Sequence, residues 1–213
     1  LTSIEGLNVD GDATDNQLTV NLAAGNPIPV NGLTFDGNAD AGGGDTLSLV
    51  GGTVTTAIFD YTSGSDGSVD LDGSTIDYTG LEPITSTITV TDIIFELPTG
   101  ATSAQLSNST NAGESELTSS GGHFEDTIFT NPTGSLTIRG GDGTDTIGIA
   151  GLDAAFDADL TIESTLGADN VDVDITAATN LDTGGDGQTA SIGTVANPVT
   201  SIDFAAGSLD TTG

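Results

Sequence analysis

Apolar and polar residues alternate in short bursts along most of the chain. Leu136-Thr137-Ile138 and Ile147-Gly148-Ile149 send every second side chain to one face, the period of a half-buried strand. Between them, Gly140, Gly141 and Gly143 provide the backbone freedom of a tight turn, and Asp142 and Asp145 add carboxylates. The unit returns 24 residues later as Leu160-Thr161-Ile162 and Val171-Asp172-Val173, which places Asp169 where Asp145 stood. Leu7-Asn8-Val9 with Leu18-Thr19-Val20 is an earlier copy, and Leu33-Thr34-Phe35 with Asp45 to Leu49 follows it 26 residues on. A weaker copy runs from Ala57-Ile58-Phe59 through Gly64 and Gly67 to Val69-Asp70-Leu71. Later ones comprise residues 180–182, 184–187 and 192, then 202–204 and 209.

Short strands, glycine turns and a period in the twenties predict an all-β chain built as a β-solenoid, β-helix-like, with stacked coils of about 20–26 residues. One such unit has too little apolar surface to fold alone, whereas stacked units share a core. Residues 1–73 and 136–213 carry the repeat. Residues 74–135 are less regular and read either as further coils or as a small inserted β-sandwich-like unit flanked by solenoid parts. Within them, strands are expected at 74–78, 87–91, 93–97, 104–106, 115–117 and 124–129, with a break at Gly80 to Pro83. No stretch has the period and caps of an amphipathic helix.

Composition narrows the partners. The 213 residues include 32 acidic and one basic residue, Arg139, for a net charge of −31. Nucleic acid needs cationic groups to displace counterions, so it is excluded as a partner. Membrane insertion is not expected, because no apolar run approaches the ~20 residues of a spanning helix. Divalent cations and polycationic surfaces are the partners this field favours, and solubility in brine is the competing explanation of the charge. Cysteine is absent, so disulfides and thiolate metal sites are excluded. The start at Leu1, in mid-pattern and without Met, reads as a mature product or an excised piece.

The order of segments carries a resemblance. Tyr78 to Ile84, Ile94 to Pro98, Phe124 to Pro132, and Ser135 to Ile138 with Gly140 to Asp145 follow one another as in very large β-strand-repeat surface proteins. Those occur in planctomycetes and related aquatic bacteria. The resemblance spans roughly residues 70–175 and rests on phrase order. It implies an extracellular or cell-surface location and a repetitive architecture.

Candidate chemistry centres on carboxylates. Residues 140–148 match the nonapeptide calcium repeat Gly-Gly-x-Gly-x-Asp-x-apolar-x, but without the consecutive copies that complete its ligand shell. Stacked coils would place Asp145 and Asp169 ~4.8 Å apart. Like charges at that distance repel by ~3 kcal/mol at an effective dielectric near 20, so a partly buried ladder calls for a cation or a raised pKa. Asp142, Asp145, Asp169, Asp172 and Asp45 are the metal candidates, with Ca2+ as the ion that all-oxygen ligands suit. A merely solvated acidic face is the other reading. No catalytic residue is assigned and no enzyme is expected, because the acids recur without distinctive pocket residues. His123 is alone, Arg139 is expected to pair across coils, and Asn108-Ser109-Thr110 is a glycosylation sequon.

Two roles follow as expectations. The first is a structural segment of an extracellular filament, stalk or adhesin that continues end to end, within a longer chain or by head-to-tail self-association, because no capping helix closes either end. The second is a carbohydrate-binding or polysaccharide-processing β-helix module, for which two tyrosines and no tryptophan are a poor supply of sugar-stacking rings.

Overall fold

The computed structural model describes residues 4–38, 44–153 and 155–163, together with the backbone of 170–174, 190–192 and 201–206. Strands follow the alternating stretches: β1 (Leu7–Asp10), β2 (Gln17–Asn21), β3 (Leu33–Asp36), β4 (Asp45–Val50), β5 (Thr53–Tyr61) and β6 (Gly67–Leu71). Next come β7 (Ser74–Thr79), β8 (Leu81–Ser86), β9 (Thr89–Glu96), β10 (Ser103–Asn108), β11 (Glu114–Ser119) and β12 (Thr127–Thr130). The last are β13 (Ser135–Arg139), β14 (Thr146–Ala150), β15 (Asp159–Glu163), β16 (Asn170–Asp174), β17 (Ala190–Ile192) and β18 (Ser201–Ala206). The chain is all-β, with no helix among the described residues.

The strands form two nine-stranded sheets, in the orders β1-β3-β7-β6-β5-β9-β13-β15-β17 and β18-β16-β14-β10-β11-β12-β8-β4-β2. The chain mostly alternates between them, and most new strands lie parallel to one laid down on an earlier pass. Leu136 to Ile138 pair in register with Leu160 to Ile162, and Ile147 and Ile149 pair with Val171 and Val173. Leu7 to Val9 pair likewise with Leu33 to Phe35. Inward residues of both sheets merge into one core. Phe95 of the first sheet meets Phe129 of the second at 5.1 Å, and Phe59 and Tyr61 flank Phe95 at 5.0 and 6.1 Å. Burying rings of this size dominates the energetics of a core otherwise made of small aliphatics.

Spacing between partners is not uniform. Some passes are 24 or 26 residues long, as expected, but Asp92 pairs with Ser135 and Ser103 with Thr146, each 43 residues away. The extra length is antiparallel. β5, β6 and β7 form a meander inside the first sheet, and β10, β11 and β12 form one inside the second. The weak copy at residues 57–71 is therefore a hairpin and not a pass between sheets. Its turn glycines look like corner glycines, but Phe59 and Val69 pair antiparallel in one sheet.

Two local expectations are also corrected. Residues 87–91 and 93–97 are not two strands, since one strand, β9, covers most of both. The break expected at Gly80 to Pro83 is confined to Gly80, a positive-φ bend where the chain leaves β7 for the other sheet, because β8 starts at Leu81 and runs through a cis Glu82–Pro83 bond. Proline is tolerated there because the β4–β8 register slips: Asp45 pairs with Leu81 but Leu47 with Ile84. The extra residue is a bulge, which releases Glu82 and Pro83 from the ladder.

Candidate functional site: a cavity over a buried carboxyl

Two of the predicted metal candidates, Asp45 and Asp145, are engaged at corners of the chain. Asp45, 2% exposed, opens β4, and its Oδ1 accepts the Asn16 N–H at 2.6 Å. Asp145, fully buried, precedes β14, and its Oδ1 accepts the Thr102 N–H and hydroxyl, each at 2.8 Å. Asn16 and Thr102 are the residues just before β2 and β10, the parallel partners of β4 and β14. The second carboxylate oxygen of each Asp lies where a Cβ on Gly37 or Gly140 would sit, 2.6 Å from it. Gly11 and Asn16 repeat the arrangement one pass earlier. Each such corner joins a glycine leaving the first sheet to a carboxylate or amide entering the second, which satisfies a backbone donor that the ladder leaves over.

Asp142 is exposed. Asp172 lies on β16 between Gly148 and Asp203, and Asp169 and the side chain of Asp172 fall outside the described residues. Among the described residues, no three acidic or imidazole side chains gather around a point where a metal ion would sit.

A different site, unread in the sequence, lies where the β8 bulge opens the second sheet. Phe124, Glu125 and Asp126 lead into β12, which joins β8 only from Thr127 onward, opposite Ile84. The Ile84 N–H bonds the Asp126 carbonyl at 3.0 Å, so residues 124–126 lie alongside Glu82 and Pro83 without pairing to them. A cavity of about 400 Å³ occupies the gap, walled by Glu82, Pro83, Phe124, Glu125 and Asp126. Glycines form its rim. At Gly44 a Cβ would run into the Glu82 carbonyl, and at Gly64 into that of Gly122.

Glu125 is the unusual member. It is 2% exposed, and its Oε1 has no hydrogen-bond partner. Burial pushes its carboxyl up to about 8, assisted by the negative charges of Glu82, Asp126 and Asp66. The neighbouring carboxylates are already occupied or exposed. Asp66 accepts from Gly80 N–H and from the Ser63 hydroxyl, Asp126 accepts from Ser119 N–H, and Glu82 faces solvent. Beneath the site, the Tyr61 hydroxyl pairs with Thr127 Oγ1 at 2.8 Å, and the Tyr78 hydroxyl is buried without a partner. Burial raises both phenols. The ring of Phe124 packs on Tyr61 at 4.9 Å, fixing the wall beside Glu125.

Arg139 pairs across passes, as the sequence led one to expect: Nη1 with Glu96 Oε1 at 2.8 Å and Nε with Glu163 Oε2 at 2.7 Å. His123 is exposed on the turn between β11 and β12, and Asn108 is exposed at the end of β10. Clamp residues did have a sequence signal. Asp-Thr-apolar marks Asp45-Thr46-Leu47, Asp126-Thr127-Ile128 and Asp145-Thr146-Ile147, and in each the Asp accepts a backbone N–H. Comparison with family models, with curated proteins and with solved structures found no match in any of the three.

Proposed function

We propose that this chain is a β-solenoid segment of an extracellular filament, stalk or adhesin, non-enzymatic and continued end to end. One observation carries the reading. β1 and β2 are the edges of their sheets at the same end of the molecule, and the exposed large apolar residues found among the described ones are all there: Ile4 (67%), Leu7 (41%) and Val30 (83%). An open, apolar edge on parallel strands is a template for another pair of strands. That pair would come from the same longer chain or from the far end of a second copy, and the second arrangement builds an open fibre. The segment order, which resembles that of large β-strand-repeat surface proteins, supports the same location and role.

Sedimentation and electron microscopy over a range of concentrations test it. Thin threads that shorten in a Leu7→Asp, Val30→Asp variant support head-to-tail stacking, and a compact monomer at every concentration removes it. Calcium belongs to the same proposal, with Asp142, Asp169 and Asp172 as the carboxylates left to bridge passes, since Asp45 and Asp145 are buried and already accept from Asn16 and Thr102. An unchanged melting temperature in calcium and then in chelator ends that part. The carbohydrate module is the weaker reading, because both tyrosines are 1% exposed and give no stacking platform.

A further inference from the structure

We propose that the cavity over Glu125 binds an alkylammonium group, from a free amine or from a lysine side chain of another protein. Three observations converge. The walls offer carboxyl groups from three residues, Glu82, Glu125 and Asp126, and no cationic side chain. Glu125, a pocket-lining residue, is almost wholly buried, and no protein group donates a hydrogen bond to its Oε1. And no cation of this chain lines the cavity: it has no lysine, its single arginine is held by Glu96 and Glu163, and its one histidine, His123, is exposed on the neighbouring turn.

Size and geometry select the class of cation. The acidic side chains do not converge closely enough to hold a metal ion, and about 400 Å³ is far more room than one needs. An ammonium on an alkyl stem fits both parts of the wall. Its N–H donors have the Glu125 carboxyl and the carboxylates beside it as acceptors, engaged one or two at a time, and its methylenes have Phe124 and Pro83 as apolar wall. The binding step balances as Glu125–COOH plus R–NH3+ giving the ion pair Glu125–COO−·R–NH3+ plus one proton released to solvent. Burial, and after it the charges of Glu82 on β8, Asp126 next to it and Asp66 after β5, hold Glu125 protonated beforehand, while Tyr61 and Tyr78 pack below with neutral phenols. A cation placed among them reverses the sign of the local field and lowers the carboxyl pKa.

The inference does not depend on the end-to-end reading. Its test is titration calorimetry of the whole chain with 1,4-diaminobutane and with a lysine-containing peptide, at matched ionic strength, against NaCl and CaCl2 controls. Expected are saturable binding of the amine, release of close to one proton at pH 7 measured in buffers of different ionisation heat, and an affinity about tenfold higher at pH 7 than at pH 6. Glu125→Gln, which keeps the shape and cannot ionise, loses the proton release and at least tenfold in affinity, and Glu82→Gln weakens binding without changing the proton count. Diaminobutane binding without the peptide assigns the site to free amines, and the reverse assigns it to a partner's lysine. Equal binding by Glu125→Gln, a response to calcium alone, or no heat beyond the salt control overturns the proposal.

Discussion

Glu125 makes stability depend on pH in a window where most carboxylates are silent. Its folded-state pKa, pushed up to about 8, lies above the 4.5 of the unfolded chain. The folded protein therefore holds a proton that the unfolded chain releases, and stability falls as pH rises between those values. The contribution is complete below about pH 4.5, declines through neutrality, and is gone above about pH 8. The full difference, at 1.36 kcal/mol per pH unit, corresponds to about 5 kcal/mol, and screening by solvent in the cavity reduces this to roughly 2–3 kcal/mol. For a chain of this length that is a fall in Tm of about 4–12 °C between pH 5 and pH 8.5. Denaturant melts of the wild type and Glu125→Gln at half-unit steps of pH isolate the term, because the variant retains every other carboxylate. The wild-type curve should drop relative to that of Glu125→Gln as pH rises. Parallel curves from pH 5 to pH 9 would show that Glu125 titrates like a solvated carboxyl, and the account of the cavity would be wrong.

Three further outcomes follow from packing. Asp145→Ala strips two hydrogen bonds from Thr102 and is expected to lose about 2–3 kcal/mol in a urea melt, with Asp145→Asn losing less because the amide oxygen still accepts. Gly37→Ala places a Cβ 2.6 Å from both the Asp45 carboxylate and the Gly80 carbonyl, and should cost about 2–3 kcal/mol, where an alanine at the open Gly73 is held back only by its positive φ. Arg139→Gln leaves Glu96 and Glu163 without a counter-charge on half-exposed positions, so a loss of about 1 kcal/mol is expected, shrinking as NaCl is raised.

The stacking of Leu136 on Leu160 and of Ile147 on Val171 was legible because alternation fixes which face is buried, and the 24-residue echo fixes the partner. The hairpins were not, because a glycine turn announces a change of direction without saying which sheet receives the next strand. Gly64 to Gly67 reads like Gly140 to Gly143, yet only the second leads to the opposite sheet. β8 was hidden by Pro83, whose effect on a ladder depends on a bulge that only the neighbouring strands reveal. The metal candidates were found as acids but not as clamps, since sequence shows a carboxylate without the N–H across from it. Glu125 escaped altogether. Strict alternation after buried Phe124 would turn it to solvent, and it is buried because the chain there precedes β12 and is not yet pleated.

The 43-residue offset is identical in the two sheets, from β9 to β13 and from β10 to β14. Length added inside one pass is therefore absorbed at the tip of a hairpin, and the layers on either side keep their alignment. Such an architecture behaves as a rack whose shelves hold their spacing while individual hooks grow. The tip at residues 109–113, between β10 and β11, is a natural place to graft a foreign peptide for display, and lengthening it should leave the backbone of the rack untouched.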